Sequence, residues 1–137
     1  MAGEQTDQSS VADAILAVED TSSVADFIAD VLQVEGYVVD LASNGAMALE
    51  HLREHHYALI LSDLRMPDMD GIGLYQTLDR CYPHLCQRMV FITGYPLTPE
   101  MQLFQDQTGT TILRKPFRVE DLLHLVRLLI TSFDRPT

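Results

Sequence analysis

The chain has 137 residues, with 20 acidic against 9 Lys and Arg side chains and a formal charge of −11. That balance excludes a protein that grips DNA, RNA or an anionic membrane by itself, since each requires clustered Lys and Arg. The length suits one domain, able to bury roughly two-thirds of the surface its unfolded chain exposes, so no disulfide or structural metal is needed for stability. Hydrophobic residues at 47% and charged residues at 21% fit a soluble globular protein. Cys81 and Cys86 fall in a short loop and match neither a zinc pattern nor a redox pair, which points to a reduced, cytoplasmic setting. Residues 1–10 are polar, and no stretch approaches the ~20 apolar residues of a membrane span.

Residues 1–11 lack periodicity and read as a flexible arm ahead of a domain over 12–131, with 132–137 as a tail too short to fold into an output domain. Ala14-Ile15-Leu16-Ala17-Val18 is a continuous apolar run, the mark of a strand buried on both faces, and it ends in Glu19 and Asp20. Thr21, Ser22 and Ser23 offer capping hydroxyls to a helix whose apolar face is Val24, Phe27, Ile28, Val31 and Leu32, with Gly36 closing it. A second strand covers Tyr37 to Ala42. Asn44 then caps a helix expected to turn Ala46, Leu49 and Leu52 inward.

Leu59-Ile60-Leu61-Ser62-Asp63 is the third strand run and stops at a carboxylate. A helix follows from Gly71 to Arg80, stopped by Tyr82-Pro83. Met89 to Ile92 is a fourth strand ending at Thr93-Gly94, and Pro99 to Gln107 a helix with proline in its first turn. Thr111 to Arg114 is a fifth strand ending at Lys115-Pro116, and Val119 to Thr131 is the last helix. Five strands alternating with five helices predict a doubly wound α/β fold with a parallel sheet and right-handed crossovers.

The strand ends carry the chemistry. Three carboxylates within ~5 Å of one another repel by about 3 kcal/mol per pair at an effective dielectric of 20, and one Lys cannot neutralise them. An all-oxygen site of this kind suits Mg²⁺. The expected ligands are Asp20, Asp63 and the backbone carbonyl of Arg65, with Glu19 reaching the ion directly or through water. An ionised Asp63 beside Mg²⁺, Lys115 and the Thr93 hydroxyl suits in-line phosphoryl transfer onto the carboxylate, giving an acyl phosphate. Lys115 and Thr93 would stabilise charge on the equatorial oxygens, and Gly94 keeps the approach open.

With Glu19-Asp20, Asp63 followed by Met66-Pro67-Asp68-Met69-Asp70-Gly71, Thr93-Gly94 and Lys115-Pro116-Phe117, the chain resembles the receiver domain of two-component response regulators, the CheY-like superfamily. The spacings agree, with 43 positions from Asp20 to Asp63, 30 from Asp63 to Thr93 and 22 from Thr93 to Lys115. The resemblance spans residues 13 to about 131 and implies a flavodoxin-like sheet in the order 2-1-3-4-5. It implies that Asp63 takes a phosphoryl group from a sensor histidine kinase or a phosphotransfer protein. It also implies slow Mg²⁺-dependent self-dephosphorylation, with Arg65 and Tyr95 flanking the path of the attacking water and tuning the phosphoryl lifetime. Such a protein is no enzyme in the usual sense, catalysing only its own phosphorylation and dephosphorylation. One departure stands out. Many receivers place Tyr or Phe three positions before the Lys as a switch residue acting with the hydroxyl of Thr93, and here that position is Ile112.

Two other functions can be set against this one. A Mg²⁺-dependent phosphohydrolase working through an aspartyl-phosphate wants a second acid two residues past the nucleophile, where this chain has Arg65. A receiver-like partner-binding module would act without phosphorylation. The Thr93 to Leu97 run looks like receivers of hybrid histidine kinases. His51 and His55 lie four apart on a helix, a metal-binding spacing that reads better as an exposed helix end. Leu128, on the polar side of the last helix, could join Met101 or Leu103 in a homodimer or partner contact through the last two helices.

Overall fold

The apolar runs form the strands expected of them, and the segments between them form helices that each pack on one face of the sheet. The computed structural model describes residues 14–64, 70–94 and 96–134. In chain order the elements are β1 (Ala14–Val18), α1 (Ser22–Val34), β2 (Val38–Ala42), α2 (Gly45–Glu54), β3 (Leu59–Asp63), α3 (Gly71–Cys81), a 3₁₀ segment (Pro83–Arg88), β4 (Met89–Thr93), α4 (Pro99–Thr108), β5 (Thr111–Arg114) and α5 (Val119–Asp134). All strand pairs are parallel, in the order β2-β1-β3-β4-β5. The arm over 1–11, Arg65, Met66 to Met69, Tyr95 and the tail beyond 134 lie outside the described residues.

Successive strand residues face opposite sides of a sheet, and each side here is covered. Ile15, Ala17, Leu59, Leu61, Val90 and Ile92 pack with Ile28 and Leu32 of α1 and with Leu122, Val126 and Ile130 of α5. Leu16, Val18, Ile60, Met89 and Phe91 pack with Ala48 and Leu52 of α2, Leu74 and Leu78 of α3, and Met101 and Phe104 of α4. This two-sided burial is why β1, β3 and β4 are apolar at nearly every position. On the second face Tyr75, Phe91 and Phe104 form an aromatic group, with the Phe104 ring edge-on to Tyr75 at 5.0 Å and to Phe91 at 5.5 Å.

Several local expectations need correction. Thr21 stands at the N-cap of α1, but its side chain makes no capping bond; the Glu19 carboxylate accepts from the Thr21 amide instead. Glu35 is the C-cap of α1, and Gly36 follows it at φ +100°, the left-handed position a glycine tolerates. In α2 the inward alanine is Ala48, while Ala46 is exposed; Asn44 caps this helix as expected, accepting from the Met47 amide at 2.9 Å. Between Cys81 and Cys86 the chain is not a plain loop. Cys81 ends α3, and Cys86 is buried within the 3₁₀ segment. Helix α5 continues past Thr131 to Asp134. On it Leu128 is exposed, as is Leu103 on α4, whereas Met101 is buried in the core and takes no part in a surface contact.

Candidate functional site

In a doubly wound sheet the chain leaves its first strand towards one edge and later returns to the other side of it, opening a crevice at the carboxyl ends of the two central strands. Here β1 lies between β2 and β3. Its following residues Glu19 and Asp20 therefore stand next to Asp63, the last residue of β3. Backbone bonds continue the ladder past the strand ends and hold this edge in register. The Glu19 amide donates to the Ala42 carbonyl at 2.9 Å, Leu64 to Ile92 at 3.0 Å, and Lys115 to Thr93 at 2.8 Å.

The three acids converge, each offering a carboxylate oxygen within 4.8 Å of the others. Glu19 and Asp63 are buried and Asp20 is exposed. Thr93, the last residue of β4, is fully buried. From the end of β5 the Lys115 ammonium reaches to 3.9 Å from Glu19 Oε1, while Glu19 Oε2 accepts from the Thr21 amide at 3.2 Å. The Lys115 stem lies beside Gly94, where a Cβ would come within 3.4 Å of its Cδ. The peptide joining Lys115 to Pro116 is cis.

Burial pushes the Glu19 carboxyl up to about 7, and the negative charges of Asp63 and Asp20 add to that, against the opposing Thr21 amide and Lys115. Negative charge is therefore concentrated here beyond what one ammonium offsets. An all-oxygen donor set with that surplus fits a hard divalent cation, and among the described residues it is the one group of three converging acidic, His or Cys side chains. The helix-spaced His51 and His55 join no such group; their ring centroids stand 6.4 Å apart.

Two residues quoted above only as part of a motif acquire definite roles. Asp70 caps α3, its Oδ1 accepting from the Gly73 amide at 2.8 Å. Gly71 donates its amide to the Leu64 carbonyl at 3.0 Å, closing the base of the segment that leaves Asp63. An Asp-Gly pair ahead of an apolar helical run is a signal for such a cap. Of the other expected site residues, Ile112 sits mid-strand in β5, half-buried against the cluster that holds Phe91 and Phe104. Arg65, expected both as a carbonyl ligand and as a lifetime residue, and Tyr95 lie outside the described residues.

A family model for the response regulator receiver domain matches residues 15–127. The chain belongs to that family. The receiver protein CpdR of Brucella abortus is 34% identical over 121 residues, covering 86% of this chain and 97% of that protein. The transcriptional regulatory protein DltR of Streptococcus agalactiae is 31% identical over 114 residues, and there this receiver domain spans 50% of the relative's length. Solved receiver domains superpose on it. One from Methanospirillum hungatei gives a TM-score of 0.79 at 26% identity, covering 88% of this chain and 94% of the other. The signal receiver domain of a histidine kinase from Syntrophus aciditrophicus gives 0.80 at 28%, covering 91% and 95%.

Proposed function

We propose that this receiver domain is a phosphoacceptor switch in which Asp63 accepts a phosphoryl group from a phosphohistidine of a sensor histidine kinase or a phosphotransfer protein. An Asp63 carboxylate oxygen attacks phosphorus in line as the P–N bond breaks, and its electron pair returns to the imidazole, which then takes a proton. Glu19, Asp20 and Asp63, with the carbonyl of Arg65, would hold Mg²⁺, which when bound neutralises charge on the transferring group. The Lys115 ammonium pairs with the phosphoryl oxygens, and the Thr93 hydroxyl donates to one of them, so that both sense the product. Thr93 and Ile112 carry the change outward to a downstream partner, and Arg65 and Tyr95 set the phosphoryl lifetime.

The observation that carries this reading is the convergence of three carboxylates at the β1/β3 crevice with Lys115 reaching the same group. The proposed place of action is the cytoplasm, beside such a donor; among the described residues no helix is long and apolar enough to cross a membrane. Similar proteins include a protein nearly all of which this chain covers and a receiver belonging to a histidine kinase, and the proposed switch is compatible with either setting. The test is an amide NMR spectrum with Mg²⁺ and beryllofluoride, an acyl-phosphate mimic. Shifts at Thr93, Ile112 and Lys115, absent in Asp63→Asn, are expected; an unchanged spectrum would leave only a partner-binding module.

A further inference from the structure

The amino-terminal edge of the sheet, at the pole opposite the acids, carries its own hollow. It lies between the α2–β3 link and the 3₁₀ segment before β4, has a volume of about 430 Å³, and is lined by Arg53, Arg88, His55, His56 and His84 among others. In a chain with 9 Lys and Arg against 20 acids, two arginines and three of the five histidines gather here, and among the described residues no Asp or Glu lines the hollow. Arg88, the last residue of the 3₁₀ segment, donates from its Nη1 to the Ala58 carbonyl at 3.2 Å. Arg53 pairs with Glu50 of its own helix, which does not line the hollow.

From this we infer that the hollow is a second ligand site, for a small phosphate-bearing anion. Its volume lies in the roughly 300–1,000 Å³ range of small-molecule pockets. Guanidinium forks match phosphate oxygens bidentately, and imidazole N–H groups add donors. Tyr82 and Leu85 also line it, giving an aromatic face and an apolar side against which a ring attached to the phosphate can lie. A bound metal ion is the poorer occupant, because these imidazoles form no converging group of three ligands. Nothing in this site depends on Asp63 or on the phosphoacceptor reading.

The experiment is an amide NMR titration of the full chain, in EDTA to empty any cation site, with inorganic pyrophosphate in one arm and adenosine monophosphate in the other. Saturable shifts at residues 53–58 and 82–88, without shifts at Glu19, Asp63 or Lys115, are expected in at least the pyrophosphate arm. Tighter binding of the nucleotide shows that the ring contributes; equal or weaker binding confines recognition to the phosphate. Arg53→Gln and His84→Gln, both exposed positions, should each weaken binding roughly tenfold, while His124→Gln on α5 should not. No saturable shift with either probe, or equal affinity in all three variants, overturns the site.

Discussion

Gly71 lies so close beneath Asp63 that a Cβ at position 71 would stand 2.6 Å from the Asp63 carbonyl oxygen. The same atom would sit 3.0 Å from the Leu64 Cα and from a ring carbon of Phe91. Two of these three neighbours are backbone, so the clash cannot be relieved by rotating a side chain. Helix α3 thus starts where it does, against the end of β3, because position 71 has no side chain. This contact joins the aromatic core to the strand tip that bears the acceptor carboxylate.

Alanine is the better helix former by about 1 kcal/mol, so on propensity alone Gly71→Ala should stabilise. The contact outweighs it: the substitution should destabilise the domain by about 1–3 kcal/mol, the usual range for overpacking. Urea unfolding measures this, and a stabilised variant would refute the close approach.

The cap beside it is separable. Asp70→Ala removes the acceptor of the Gly73 amide and should cost about 1 kcal/mol in the same unfolding assay. Asp70→Asn, which keeps a side-chain oxygen, should recover most of it.

A third expectation concerns pH. Glu19 has an ordinary value of 4.5 and stands near 7 in the fold. The folded state therefore holds a proton that the unfolded state releases. Without divalent cations, this group's contribution is full below pH 4.5, is lost as pH rises towards 7, and then stays level. At about 1.4 kcal/mol per pH unit the loss amounts to at most roughly 3 kcal/mol. Added Mg²⁺ binds the ionised acids, so it should stabilise far more at pH 8 than at pH 5. Unfolding at both pH values, with and without Mg²⁺, reads this directly. Glu19→Gln should flatten the Mg²⁺-free slope.

The aromatic group gives a fourth. Phe104→Leu keeps an apolar side chain but loses the edge-on contacts with Tyr75 and Phe91, and should cost about 1–2 kcal/mol. Since Ile112 packs against the same cluster, its amide should shift in this variant, while that of Leu113, packed on the other face, should shift less.

How far the chain could be read in advance varied with the physical signal. Strands β1, β3 and β4 stood out because burial on both faces demands unbroken apolar runs, and Asn44 and Gly36 mark helix ends by their own chemistry. Ala46 and Ala48 could not be told apart, because a methyl group contributes little to helical periodicity. The 3₁₀ segment has no apolar repeat to announce it. Glu19 and Asp20 could be assigned to a strand end, but the burial that separates their behaviour depends on packing from elsewhere in the chain. The hollow at the opposite pole was invisible for a related reason: Arg53, His84 and Arg88 come to line one hollow only once the chain has folded.

The central claim is that Asp63 accepts phosphate, and intact mass after incubation with Mg²⁺ and acetyl phosphate tests it most directly. The account predicts one phosphoryl adduct, missing in Asp63→Asn and without Mg²⁺, and much reduced in Lys115→Ala. No adduct on the native chain, or an adduct that survives in Asp63→Asn, would contradict it.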